Sequence, residues 1–170
     1  MGLSSDELLA GVRDVCGERL LEAQAEHGEV TIAIGRDAAL EIFRALRDRP
    51  ELGFDFLTDV TAVDYLGQVP RFTVVYHLYS LAQNHRLRVK IRVPEDEPWV
   101  QSLTGLWRSA NWVERECWDM FGIRFVGHPD PRRILMYEEF VGHPLRKDYP
   151  VDKRQPLTEE RDPIEVGWKV

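Results

Sequence analysis

The chain has 170 residues, 44% of them hydrophobic and 30% charged, and a formal net charge of −7. That is the size of one globular unit with a buried core, and the acidic balance argues against a surface built throughout for nucleic acid. The two cysteines, Cys16 and Cys117, stand far apart with no CxxC pair, which disfavours a zinc ribbon or a cysteine-held iron–sulfur cluster and fits a reducing compartment.

The opening stretch MGLSSDELL lacks the basic start and apolar run of a secretory signal. Asp6 occupies the place where myristoylation wants Ser or Thr. No apolar run approaches the ~18 residues of a membrane span. Ser4-x-x-Glu7 is a capping box, and Leu8, Leu9, Val12, Cys16 and Leu20 follow at helical spacing, which predicts a helix over about 5–25. EVTIAIG alternates Val30, Ile32 and Ile34 and predicts a short strand. Asp37 is placed to cap a second helix over 38–48, stopped by Pro50. Strands are expected at 54–65, 71–80 and 86–93, joined as antiparallel hairpins by LGQVP and LAQNH. A helix at 98–108 and another at 112–121 follow, the second closed by Gly122 as a left-handed cap.

Beyond Gly127 the periodicity is lost and prolines stand at 129, 131, 144, 150, 156 and 163. The expected architecture is α+β: a globular unit over 1–127, in which helices cover one face of an antiparallel sheet, and a long extended C-terminal arm over 128–170.

The strand at 86–93 points Leu87, Val89, Ile91 and Val93 one way and Arg86, Arg88, Lys90 and Arg92 the other. The basic face could bind nucleic acid, but no aromatics interleave with it. A charged edge strand, with ion pairs to Asp55 and Asp59, is the favoured reading. Asp64 breaks the parity of its strand and predicts a bulge or strand end near Val63, with a turn role. Within WVERECWDMF, Val113, Cys117, Met120 and Phe121 form a core stripe. Glu114, Glu116 and Asp119 fan around the helix without an ExxH motif, so ion pairing, with Arg115 and Asp119 four apart and able to pair, is favoured over a carboxylate metal site.

The tetrapeptide VGHP occurs twice, at 126–129 and 141–144. Proline pushes the preceding histidine into extended backbone, and glycine permits the bend before it. His128 and His143 therefore predict two bends before a metal pair; Asp130 and Asp148 are nearby candidates, but no close spacing defines a coordination geometry. Arg132-Arg133 follows the first bend and Arg146-Lys147-Asp148 the second. Without a glycine-rich loop opening a helix, carboxylates of a partner are the expected target of these cations.

The run ERECWDMFGIRFVGHPDPRRIL at 114–135, continued by GHPLRKDYP at 142–150 and supported by LTDVTAVDYL at 57–66, resembles the C-type subunit, the 30 kDa subunit family, of the NADH–quinone oxidoreductase of respiratory complex I. The likeness is dense over 54–150. It departs at Pro131, where an aliphatic residue is expected, and at Phe140, where tryptophan is.

The resemblance implies a non-redox structural subunit of the peripheral arm, lying on the cytoplasmic face of the bacterial plasma membrane and touching the membrane only through the complex. It implies no cofactor in this chain; FMN, iron–sulfur clusters and quinone belong to other subunits. The implied partners are the hydrogenase-like large subunit of the D type and the small iron–sulfur subunit of the B type, with no nucleic acid. No catalytic or metal residue is expected. The expected partner-facing residues are Glu116, Asp119, His128, Arg132, Arg133, His143, Arg146, Lys147 and Asp148. The alternatives are the equivalent subunit of a membrane-bound hydrogenase or an F420-type dehydrogenase, or a nucleic-acid-binding module.

Overall fold

A computed structural model describes residues 3–153 and 155. The order of elements is α1 (Ser5–Cys16), β1 (Leu20–Glu26), β2 (Glu29–Ile34), α2 (Ala39–Asp48), β3 (Phe56–Asp64), β4 (Phe72–Ser80), β5 (His85–Val93), β6 (Trp99–Gln101), α3 (Ala110–Phe121) and β7 (Arg124–Val126). The class is α+β. Five strands form one sheet in the order β1-β2-β5-β4-β3, and β6 and β7 pair separately. The sheet is antiparallel except between β2 and β5.

The capping box starts α1 as the sequence predicts: the Glu7 carboxylate accepts from the Ser4 amide at 2.8 Å, and the Ser4 hydroxyl accepts from the Glu7 amide. The helix stops far short of residue 25. Gly17 takes φ +55°, a short 3₁₀ turn follows, and Leu20–Glu26 pairs with β2 as a hairpin strand. Leu, Glu, Ala and Gln favour a helix locally; pairing with β2 overrides that preference. α2 begins at Ala39 without a side-chain cap, so Asp37 does not serve as one. The helix expected at 98–108 is absent: β6 and a series of turns occupy that stretch.

All three helices contribute to one core against one face of the sheet. Leu8 and Val12 of α1, Ile42, Phe43 and Leu46 of α2, and Cys117 and Met120 of α3 join Ile32, Val60, Val74, Tyr76, Leu78 and Val89. β5 is central in this sheet, which corrects its reading as an edge. Its cations pair with the β1–β2 hairpin, Arg88 with Glu29 at 2.8 Å and Arg92 with Glu22 at 2.6 Å, and not with Asp55 or Asp59. The edges are β1 and β3.

The parity break in β3 is present, but the irregularity lies between Leu57 and Asp59, not near Val63. It flips the strand, so Leu57, Val60, Ala62 and Asp64 all face inward. Asp64 is therefore a buried strand residue and not a turn residue.

Residues 128–153 carry no helix or strand, yet they bond to the chain's own α3, to Asp64 of β3 and to Arg71 in the β3–β4 connection. The part of the expected arm at 156–170 lies outside the described residues.

Candidate functional site

α3 presents its last turn to the C-terminal segment, and Asp119 is the centre of the contact. Its carboxylate is fully buried. One oxygen accepts the amides of Ile134, Leu135 and Met136 at 3.1, 2.9 and 2.9 Å; the other accepts the Arg133 guanidinium. Burial alone would raise its pKa. The three amides and Arg133 outweigh that and hold it below the ordinary aspartate value.

Arg133 spends its remaining donors on the carbonyls of Phe140 and Gly142 at 2.9 and 3.0 Å and lies over the rings of Trp118 and Phe140. One ion pair thus closes the loop 133–142 onto the helix.

The two Gly-His-Pro bends grip opposite ends of the same helix. His128 bonds the Asn111 carbonyl in the first turn of α3 at 3.0 Å through Nε2, while Nδ1 accepts the Asp130 amide at 3.0 Å. This pattern assigns the neutral tautomer with the proton on Nε2. His143 donates Nδ1–H to the Asp119 carbonyl in the last turn at 2.9 Å, and the Leu145 amide donates to the Met120 carbonyl at 3.1 Å. The Asp119 and Met120 carbonyls have no partner inside the helix, so the segment satisfies groups that a helix end leaves open.

Gly122 makes this possible. It sits at φ +78°, and a Cβ there would lie 2.7 Å from the His143 ring.

A second lock joins the segment to the β3–β4 hairpin. Arg71, 3% exposed, binds Asp64 through Nε and Nη2 at 2.8 and 2.7 Å and meets Glu95 and Asp148 at 2.5 and 3.0 Å. Arg146 binds Asp148 at 3.0 and 2.9 Å and Glu95 at 3.2 Å, and the Lys147 amide donates to Asp64 at 2.8 Å. Hydrogen bonds from Arg71 lower the Asp64 pKa, and those from Arg146 and Arg71 lower that of Asp148.

Arg132, Arg133 and Arg146 each pair with a carboxylate of this chain. Arg132 binds Asp130 through both carboxylate oxygens, at 2.7 and 2.9 Å, on the surface. Glu116 and the Lys147 side chain face solvent.

Sequence reasoning misses Arg71 and Glu95, and it pairs Arg115 with Asp119; in the structure Asp119 takes Arg133 instead, and the Arg115 guanidinium bonds the Arg132 and Arg133 carbonyls. Asp64 is visible there only as an oddity of parity. Glu114, which its spacing groups with the ion-pairing acids, is something else. It is fully buried, and it accepts the Leu103 amide at 2.6 Å and the Ser102 hydroxyl at 2.7 Å without a cation. Burial raises its pKa to about 7 against the pull of those two donors. The Tyr76 hydroxyl is buried in the same core without a hydrogen-bond partner.

Among the described residues no three His, Cys, Asp or Glu side chains are placed to hold a metal ion, and no helix is long and apolar enough to cross a membrane. The site clamps backbone to backbone through charged side chains.

The family profile described as respiratory-chain NADH dehydrogenase, 30 Kd subunit, matches residues 32–155. The chain belongs to this family. The matched span contains both locks, from Asp64 to Asp148. The NADH-quinone oxidoreductase C subunit of Citrifermentans bemidjiense is 54% identical over 132 residues, which cover 78% of this chain and 81% of that protein. The corresponding C subunit of Roseiflexus castenholzii is 46% identical over 151 residues, 89% and 87% of the two chains. Among solved structures, the trypsin-resistant fragment (1–134) of Nqo5 superposes with a TM-score of 0.64 at 33% identity, over 71% of this chain and 96% of the fragment. A chain of an archaeal membrane-bound sulfane sulfur reductase shares the fold, with a TM-score of 0.71 at 20% identity over 92% of this chain and 98% of its own.

Proposed function

We propose that this chain is a non-redox structural subunit of the peripheral arm of a proton-translocating NADH–quinone oxidoreductase, where it supports electron transfer from NADH to quinone carried out by other subunits. The single observation that carries the proposal is the pair of locks, set in a chain whose relatives are named as the C subunit of that enzyme. The paired charges of the family-like stretch fix backbone: Asp119 and Arg133 set the loop 133–142, and Arg71, Asp64 and Arg146 set the segment 143–149. The product is a surface of fixed shape over a segment that carries no helix or strand. A rigid surface loses little conformational entropy on association.

In this reading the chain docks on the hydrogenase-like large subunit and on the small iron–sulfur subunit, on the cytoplasmic side of the membrane, with the segment from 128 onward as the docking element. FMN, iron–sulfur clusters and quinone are held elsewhere in the complex. Exposed Leu135, Val141, Leu145 and Val151 on the segment offer apolar area to a partner once the polar groups are satisfied internally.

The test is affinity purification of the tagged chain from membranes of the host, with the co-purifying subunits identified by mass spectrometry. The large subunit and the small iron–sulfur subunit are expected in equal proportion to the tagged chain. Recovery of the chain alone, from cells that make an active complex, would refute the proposal.

A further inference from the structure

A groove of about 430 Å³ runs between α3, β7 and the first Gly-His-Pro bend. Its walls are apolar: Trp118, Phe125, Val126 and Pro131 line it. Glu114 reaches the floor, but both its oxygens are already engaged by Ser102 and Leu103. His128 lines it as well, with both ring nitrogens engaged. These groups leave the interior apolar in character.

The rim is cationic. Arg115 and Arg124 stand on it, with Arg132 one residue beyond Pro131. The nearest rim carboxylate, Asp130, is held by Arg132 through both oxygens, and Arg115 stays 3.9 Å from it. Arg124 is exposed and forms no ion pair among the described residues. Three cations against one committed carboxylate leave the rim with surplus positive charge. Beside it Trp112 is 62% exposed, with Arg115 over its ring at 5.5 Å. Exposed tryptophan and arginine around an apolar pocket are the residue types that carry binding energy at protein interfaces.

We infer that this groove receives a segment of a neighbouring protein subunit that places an apolar side chain between Trp118 and Val126 and a carboxylate against Arg124. The charge complementarity selects that occupant: a cationic peptide is repelled by the rim, and a wholly apolar one leaves Arg124 desolvated and unpaired. The inference rests on the reading of this chain as a subunit of a larger complex and names the contact surface within it.

The experiment replaces Val126, 45% exposed, by p-benzoylphenylalanine in the tagged full-length chain, and irradiates the intact complex after purification. A cross-link to another subunit is expected, in a peptide that contains Asp or Glu. A cross-link confined to this chain, one to a second copy of it, or none at all from a complex of normal composition overturns the groove assignment and leaves the subunit reading standing. Absence of any complex around the tagged wild-type chain fails that reading instead.

If the bulky reporter itself blocks assembly, Arg124→Glu and Arg124→Lys decide. The reversal is expected to lower the yield of complete complex at least tenfold, and the lysine to restore most of it. Equal yields from both variants and wild type overturn the assignment.

Discussion

The His143 ring stands where a side chain on Gly122 would have to be: a Cβ there would lie 2.7 Å from ring atom Cδ2 and 2.8 Å from Nε2. The helix cap and the second Gly-His-Pro bend are therefore one feature. The left-handed residue that ends α3 leaves the space into which the returning segment inserts its histidine, and that histidine then bonds the Asp119 carbonyl.

Substitution of two glycines separates these effects. Gly127 has φ +88° with nothing within 4 Å of a built Cβ, so Gly127→Ala is expected to cost only the left-handed penalty, about 1–2 kcal/mol. Gly122→Ala adds overpacking against His143, roughly 1–3 kcal/mol more. Urea unfolding of both variants checks the difference. Most of the excess should vanish when Gly122→Ala is made in a His143→Ala background, because the two sites are in contact.

Asp119→Asn keeps the shape of the loop clamp and removes its charge. Arg133, largely buried, then lacks its carboxylate, and a loss of about 3–5 kcal/mol is expected from breaking a buried pair on one side. Hydrogen exchange should localise the loss to amides 134–136 and the loop to 142. A variant as stable as wild type would show that the pair does not hold the loop.

The acid side of the stability profile follows from the same pairs. The folded pKa values of Asp64 and Asp119 are lowered, so their contribution is complete above the ordinary aspartate value and is lost as pH falls through the lowered one. Glu114 works in the opposite direction. Its folded pKa is raised from 4.5 to about 7, so the folded state binds more protons than the unfolded chain between those values, and stability falls as pH rises from 4.5 to 7. The shift corresponds to about 3 kcal/mol. Urea midpoints measured from pH 5 to 8 should therefore decline in the wild type, and Glu114→Gln should abolish the decline. An unchanged slope in that variant would remove Glu114 as the cause.

Arg146 and Lys147 are adjacent in sequence and differ in role. Arg146→Glu places a third carboxylate beside Glu95 and Asp148, whose existing contacts to Arg146 are 3.2 and 2.9 Å. It is expected to loosen the segment 143–153, read as faster proteolytic cleavage there. Lys147→Glu leaves its amide bond to Asp64 intact and should cleave at the wild-type rate. Equal effects of the two reversals would show that surface charge, and not the lock, governs the segment.

Much of the secondary structure is legible in the sequence because it is local. The Ser4–Glu7 box, the alternation of β5 and the Gly122 cap are each determined by residues within a few positions of one another. β1 reads as helix because its composition favours one, and only β2 makes it a strand. The stretch 98–108 misleads for the same kind of reason: Trp107 donates its ring N–H to the Phe54 carbonyl at 3.1 Å, a contact that helical spacing does not reveal. The locks are the least legible part. Arg71 meets Asp148 across 77 positions, so the sequence shows the arginines of the C-terminal stretch but not that their carboxylates lie in the same chain. The family is legible nonetheless, because Asp64, Asp119, Arg133, Arg146 and Asp148 fall within the stretches 57–66, 114–135 and 142–150 that resemble it, although Arg71 and Glu95 lie outside them.

The central claim is tested most directly by the quinone reaction without this chain. NADH-dependent quinone reduction is measured in membranes from a strain lacking the chain and from the same strain supplied with it. Loss of the activity together with loss of the assembled complex, and recovery of both with the wild-type chain, is the predicted result. Membranes that reduce quinone at the wild-type rate in the absence of the chain would contradict it.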